Sequence, residues 1–553
     1  MKPLVVVCGS VVLFTLCATS VASAETQDIS SGWGVNVRGY GATGDGSTKD
    51  TVAVQKAIDT CAEAGGGTVY FPSGVYLCGS LHLRSGVTLR LDAGATIKGS
   101  RDLDDYDKYE QLGFENDADR ETTYFHFALI WGEDIERIAI LGEGTIDSNW
   151  DRRHGPKTIA LKRCRFVDIK GIRTTNSPNY AISMLGTDYV NIEGVTILNA
   201  YADGIDPDSC RNVRISNCHI ESRDDAIVPK ASFSLGERRA SENITVTNCF
   251  LSTECNAFKL GTESGGGFKR IAVTNCVMSG LKGHRPASGG IALESVDGAD
   301  LDGVVVSNIT MVDVRAPIFI RLGNRGRDMD TPIPGTVKNI AIDNVVATNA
   351  SLTCSITGIP GHRVEGVSVS NIRIQFAGGT PYRPPDQPVP ELEDKYPDPD
   401  MFDGLPAYGF YCRHVDGLTL SNISVSYADG FWRLPAESDK DIEWNTESGV
   451  PTPSAPGEPG HALICDDVRR LDVNGLYARP SASGAGLIRF VDVQDARVRG
   501  CAAAEGTAAF LELFGGETRA IALLGNDLAR AGKALTMAED VPADAVAKAG
   551  NIE

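Results

Sequence analysis

NAYADGIDPDSCRNVRISNCHIESRDDAIVPK, residues 199–230, sets Asp203 on one turn and the Asp224–Asp225 pair about twenty residues later, with a strand-like segment, Val213 to Cys218, between them. A chain that returns to nearly the same place after a rung of roughly twenty to thirty residues stacks coil upon coil. In such a fold Asp203, Asp224 and Asp225 converge on one surface.

The middle of this stretch recurs along the chain. VDIKGI (167–172), VNIEGV (190–195), VRISNC (213–218), ITVTNC (244–249) and IAVTNC (271–276) are followed by VVVSNI (304–309), IAIDNV (340–345), VSVSNI (367–372), LTLSNI (418–423) and LDVNGL (471–476). Each alternates apolar and polar residues, the pattern of a half-buried strand. Each closes on Asn or Gly before an apolar residue. Asn tolerates the left-handed backbone of a tight turn and can hydrogen-bond its equivalent in the next coil. The expected fold is all-β, a parallel β-solenoid. A β-sandwich would show hairpin turn signals without a fixed repeating phrase.

Near the start, Asp50-Thr51 is expected to cap a helix from Val52 to Ala64 that ends at Gly65-Gly66-Gly67 and presents Val54, Ala57, Ile58 and Cys61 on one face. A solenoid needs such a cap over its first coil. The expected division is a signal peptide at 1–24, a cap with the first coils at 25–120, and the main solenoid at 121–553. Loop-rich insertions interrupt it near 378–403, which is rich in Pro and acidic residues, and 429–460, which holds Trp432 and Trp444. Long loops on rigid scaffolds often carry function; either these insertions wall a binding cleft or they decorate the surface.

The 553 residues are 42% hydrophobic, enough for a substantial core, and carry a formal net charge of −20. That charge argues against a nucleic-acid partner, because phosphate binding wants a basic face. Lys2, the apolar run Leu4 to Cys17 and Ala22-Ser23-Ala24 form a secretory signal, with export to periplasm or medium expected. The apolar run is too short for a membrane span. Of 14 cysteines, two lie in the signal. Cys218, Cys249 and Cys276 hold the same place in successive repeats and read as stacked core residues. A disulfide such as Cys61 with Cys78 remains open. The cysteine spacing resembles no zinc site.

Three crowded carboxylates cannot all ionise cheaply, so one is pushed towards its protonated form. Glycoside hydrolysis uses such a set: one carboxyl group as acid, another ionised to activate water. For Asp206 and Asp208 the competing reading is turn-shaping, preferred for Asp208.

Two segments carry a family resemblance. VRGYGATGDGSTKDTVAVQKAIDTCAEAGGGTVYFPSGVYLCGSLHLRSGVTLRLDAGATIKGS resembles the N-terminal part of pectin-degrading β-helix proteins, and ADGIDPDSC followed by SRDDAIVPK resembles the catalytic region of glycoside hydrolase family 28, the polygalacturonases. The similarity runs from about Val37 to at least Ile423. It implies a right-handed parallel β-helix that hydrolyses glycosidic bonds in pectin with inversion, without metal or cofactor. It implies Asp224 as general acid and Asp203 with Asp225 as the pair that orients and deprotonates water. The family's N-T-D motif reads Tyr201-Ala202-Asp203 here, and Arg223 precedes the paired aspartates where the family usually has Gly. Its G-H-G place reads Cys255-Asn256-Ala257, and its R-I-K, which grips the galacturonate carboxylate, reads Ala292-Leu293-Glu294. An acid where that Lys was expected would repel galacturonate, which makes a neutral sugar, as in rhamnogalacturonan, credible.

Further contacts to a polysaccharide or oligosaccharide substrate are expected from Lys230, Asn256, Lys259, Glu263 and Glu294, and from Arg321 and Arg325 on the glycine-flanked turn 319–327, since guanidinium groups hold carboxylates bidentately. His284, His362 and His414 sit near turns, where a lone His is usually only solvated. A monomer is expected. Two other functions stay open: a polysaccharide lyase on the same fold, with calcium in the Asp-rich site, and a β-helix that only binds glycans.

Overall fold

The computed structural model describes residues 34–377, 383–428, 460–481 and 484–553. The expected signal peptide and most of the second insertion, with Trp432 and Trp444, lie outside these residues. So do residues 378–382 of the first.

The repeated phrases are strands, and alternation dictates how they pack. In Arg211–Ser216, Val213 and Ile215 are buried while Arg214 is exposed. Pairing is parallel and in register, so the inward residue of each coil lies on that of the next. One column runs Ile138, Val167, Val190, Val213, Ile244, Ile271, Val304, Ile340, Val367, Leu418 and Leu471, then Ala496 and Ile521. All are at most 3% exposed, so the column forms a continuous core. Every named strand ladder among the described residues is parallel, and successive coils stack about 4.8 Å apart. This is a parallel β-helix.

The turn after each strand is set by chemistry local to it. Asn217, Asn248, Asn275, Asn308, Asn344, Asn371 and Asn422 all have φ between 53° and 57°, the left-handed region. Gly194 holds the equivalent place one coil earlier, with φ 64°. The asparagines also bind along the stack: Asn308 Nδ2 donates to Asn275 Oδ1 at 3.1 Å, Asn344 to Asn308 at 2.8 Å and Asn422 to Asn371 at 2.7 Å.

The cap is a helix over Thr51–Glu63, one residue earlier than expected at each end, with Val54, Ala57, Ile58 and Cys61 buried. Asp50 does not cap it with its side chain. Its carboxylate accepts instead from the backbone N–H of Thr43 (2.7 Å) and Gly44 (3.0 Å), clamping the preceding loop. All twelve described cysteines are free, including Cys61 and Cys78. Both pack among aliphatic side chains of the core, so the disulfide left open between them is not formed. Cys218, Cys249 and Cys276 are buried to within 2%. Among the described residues no helix is long and apolar enough to cross a membrane.

The described part of the first insertion, 383–403, is held by arginines. Arg383 donates to the carbonyls of Phe402 and Gly404, Arg413 to that of Val389, and Arg315 pairs with Asp400 at 3.0 Å.

Replacing Asn308 by Ala puts a Cβ-bearing residue without a side-chain amide at φ 57° and breaks two ladder bonds. The expected loss is about 1–2 kcal/mol in urea unfolding. Asn308→Gly, which breaks the same two bonds but keeps the backbone geometry, should lose less than Asn308→Ala.

Candidate functional site

The site is built on the sheet formed by Ala128–Glu133, Lys157–Lys162, Ile182–Leu185 and Ile205–Asp208. Ile130, Ile159, Ile182 and Ile205 stack inward and are followed through single bridges by Ile227 and Phe258, then by Ile291. The next residue along each strand turns to the other face. That face carries, in order, His82, Trp131, Ala160, Ser183 and Asp206, and further along Lys259, Ala292 and Phe319.

Asp203 and the Asp224–Asp225 pair sit in the turns that enter Ile205 and Ile227. Two backbone bonds hold these turns together: Gly204 N donates to Asp225 O and Ile205 N to Ala226 O, both at 2.9 Å. The three carboxyl groups are thus brought onto two adjacent coils. Their exposures differ: the side chains of Asp203 and Asp225 are 4% and 6% exposed, that of Asp224 25%.

Each aspartate has its own cation. Lys230 Nζ donates to Asp203 (2.9 Å), Asp206 (2.7 Å) and the hydroxyl of Tyr180 (2.9 Å). These contacts use all three donors of the ammonium, so Lys230 has none left for a substrate. One positive charge between two buried carboxylates is not enough. Burial pushes the Asp203 carboxyl well above the usual carboxylate range against the pull of Lys230, and Asp206 is raised for the same reason. Burial likewise pushes Asp208 up to about 6, and its oxygens accept from Ser232 N (2.8 Å) and Ser209 Oγ (3.0 Å), a turn-shaping position.

Asp224 behaves in the opposite way. Burial would raise it, but Arg153, whose Nη1 lies 2.5 Å from Asp224 Oδ2, holds it below the usual range with help from Lys259 and Lys230. Arg153 is itself fixed by Glu121, which accepts from Nε at 3.0 Å and Nη2 at 2.5 Å. Glu121 belongs to the short helix Arg120–Thr123, N-capped by Asp119 and tied to the site by Thr122 Oγ1 at 3.3 Å from the Tyr180 hydroxyl. Arg153 and Glu121 lie between repeats, in segments without periodicity, and the sequence carried no signal for them.

Asp225 accepts from the backbone N–H (3.0 Å) and side-chain amide (2.9 Å) of Asn256, with Lys259 Nζ at 3.4 Å. Lys259 is also 3.9 Å from Glu294 and 3.4 Å from the hydroxyl of Tyr396, which reaches in from the insertion. Glu294 is fully buried, and neither of its oxygens has a protein hydrogen-bond partner; Asn256 Oδ1 and Arg325 Nη1 are in the same condition. Burial pushes Glu294 up to about 8, and Asp398, also on the insertion, up to about 7.

Asn256, Lys259 and Glu294 therefore line one side of the aspartates. Other residues expected as substrate contacts are directed elsewhere. Arg321 is 1% exposed and donates to the carbonyls of Glu391, Leu392 and Gly358, anchoring the insertion. Arg325 pairs with Asp297 at 2.6 Å, and Glu263 with Arg327 at 2.6 Å. His414 is held between Asp467 (2.7 Å) and Glu391 (3.3 Å), and His284 lies 2.9 Å from Glu254.

The comparison with known proteins is direct. Residues 61–384, more than half of the chain, match the model of glycosyl hydrolases family 28. The chain belongs to that family. It is 27% identical over 365 residues to a probable polygalacturonase of Vitis vinifera, a match covering 61% of this chain and 73% of the relative. It is 25% identical over 404 residues to an exo-poly-alpha-D-galacturonosidase of Dickeya chrysanthemi, covering 59% and 64%. Its fold matches that of an exopolygalacturonase from Thermotoga maritima with a TM-score of 0.57 and 21% identity, over 71% of this chain and 91% of that one. The protein is accordingly a polygalacturonase-like glycoside hydrolase.

Among the described residues of this family 28 enzyme, Asp224, Asp225 and Cys255 are the one group of possible metal ligands. Their chemistry does not fit a resident ion. Arg153 and Lys259 already neutralise the two carboxylates, and burial pushes the Cys255 thiol far up, keeping it protonated.

Glu294 makes the enzyme's stability depend on pH. Its folded value of about 8 exceeds the ordinary 4.5, so between these values the folded state holds a proton that the unfolded state has lost. Its contribution is complete below pH 4.5 and falls by about 1.4 kcal/mol per pH unit as pH rises towards 8. Glu294→Gln removes this term. Thermal melts at pH 5, 6.5 and 8 should show the variant gaining on the wild type as pH rises.

Proposed function

We propose that the enzyme hydrolyses glycosidic bonds in a pectic, uronic-acid-containing polysaccharide with inversion. Asp224 gives a proton to the leaving oxygen while Asp203 and Asp225 are the pair that orients and deprotonates water, Asp225 taking the proton because burial favours the protonated form of Asp203. The observation that carries this reading is the convergence of the three carboxyl groups on adjacent coils at unequal depth. The acid must reach the glycosidic oxygen, and Asp224 is the most exposed of the three. The water-activating pair belongs deeper, and inversion requires room for that water between acid and base.

The substrate class rests on the relatives, whose names describe action on galacturonan, and on the cations around the site. Glu294 need not repel a uronate: with a value near 8 it is protonated at neutral pH and can donate a hydrogen bond. The positive charge expected on that coil stands one coil earlier, on Lys259, with Glu294 3.9 Å away. The row runs along the stack, with Trp131 three coils from Asp206, about 14 Å at 4.8 Å per coil. Export through residues 1–24 would bring the enzyme to such polymers outside the cytoplasm.

Mass spectrometry of products from oligogalacturonides and rhamnogalacturonan oligosaccharides in ¹⁸O-water tests the reading. Each cleavage should add one water, with NMR showing inverted anomeric configuration in the first product. Asp224→Asn should lower kcat by about 10³-fold or more. An unsaturated uronate would replace this reading with a lyase, and binding without cleavage would leave a glycan-binding β-helix.

A further inference from the structure

A general acid must carry a proton, yet Arg153 holds Asp224 ionised. We propose that Arg153 is a substrate-released latch: the carboxylate of a bound uronate draws the guanidinium off Asp224, which then takes a proton from solvent and becomes competent as acid. The inference rests on the role of Asp224 given above. It adds a residue that couples recognition of the substrate's charge to arming of the catalyst.

The geometry supports exchange rather than a fixed pair. Glu121 binds Arg153 through Nε and Nη2, so one edge of the guanidinium is anchored. Only Nη1 reaches Asp224. The Arg153 side chain is 35% exposed and that of Asp224 25%, whereas Glu121 is 13% exposed. The contact to the acid is therefore the accessible one. A guanidinium so anchored presents its free edge to another carboxylate with little reorganisation.

Once the guanidinium turns to the substrate, burial, the largest influence on Asp224, favours its protonation against the remaining pull of Lys259 and Lys230. Asp225 faces it from its own coil and Asp203 from the preceding one. Cys255 on the following coil is a neutral thiol. Lys230 and Lys259 remain, but Lys230 is shared by Asp203 and Asp206, and Lys259 by Asp225 and Glu294. Arg223, next in sequence, lies over the Tyr201 ring, and His154 lies 3.6 Å from Glu121. The proton balance is simple. Asp224 takes one proton from solvent on binding, passes it to the glycosidic oxygen as the bond breaks, and returns ionised to Arg153 when product leaves.

The test is the pH dependence of the full-length enzyme on oligogalacturonide and on the same oligomer with its carboxyl groups reduced to alcohols. Loss of activity at high pH reports the acid, in free enzyme for kcat/KM and in the complex for kcat. On oligogalacturonide the wild-type limb in kcat/KM should lie about one pH unit or more below that in kcat. In Arg153→Gln the kcat/KM limb should move up and close the gap, KM for oligogalacturonide should rise, and the preference over reduced oligomer should fall about tenfold or more. Arg153→Lys should restore part of each change. Glu121→Gln, which keeps Arg153 but leaves its charge to Asp224 alone, should move the kcat/KM limb down and widen the gap, and carries the test if Arg153→Gln fails to fold. Unchanged limbs and unchanged preference in both folded variants would reduce Arg153 to a structural ion pair. The two levels separate cleanly. If Asp224→Asn retains activity, the role of Asp224 itself fails. If it is inactive while the Arg153 and Glu121 variants shift nothing, only the latch fails.

Discussion

Everything in this molecule depends on register between coils. A parallel strand that slipped by one residue would turn its aliphatic side chains to solvent and its charges to the core. The column from Ile138 to Leu471 forbids this, and the left-handed asparagine turns fix where each strand ends. The same register fixes the site. Asp206 and Lys259 face outward because Ile205 and Phe258, their neighbours in sequence, face inward. Two turns that are separate in sequence therefore deliver three carboxyl groups to one place without any side chain having to specify the approach.

Such delivery creates an electrostatic problem that the site solves locally. Asp203, Asp206, Asp224 and Asp225 would be intolerable together in a low-dielectric environment. Lys230, Arg153 and Lys259 are distributed among them, one ammonium serving two aspartates and one guanidinium shared with Glu121. Lys157 adds a fourth positive charge beside Asp206, and burial still leaves Asp203 and Asp206 raised towards their protonated forms.

The fold was legible because its signal is repetitive. Ten short phrases, each alternating and each closed by Asn or Gly, carried the same message, and one irregular coil could not obscure it. The aspartates were legible through their motif. What surrounds them was not, for physical reasons. Lys230 and Lys259 were found as charged residues on the right coils, but whether an ammonium faces a ligand or is consumed by carboxylates depends on distances of about 1 Å, the difference between a made and an unmade hydrogen bond. Arg321 looked like a substrate clamp beside glycines and proved to hold the carbonyls of an insertion seventy residues later. Its partners are backbone atoms, which no residue type announces. Glu121 and Arg153 belong to segments between the repeats, where neither periodicity nor motif constrains the reading.

The overall charge then acquires a specific meaning. A chain with a net charge of −20 repels a polyanion at a distance, but that repulsion is screened beyond about 10 Å at 0.1 M salt. Recognition is decided inside this range, by cations whose positions are fixed. Most of those at or near the site are buried and already engaged: Lys230 by three acceptors, Arg321 by carbonyls, and Arg325 by Asp297 and the carbonyl of Thr262, with its Nη1 unpaired. Arg153 differs in being part-exposed, anchored on one edge and engaged on the other by the most exposed of the three aspartates. A positive charge placed there does more than attract. It sets the protonation of the neighbouring carboxyl group, so whatever competes for that guanidinium also changes the chemistry of the site.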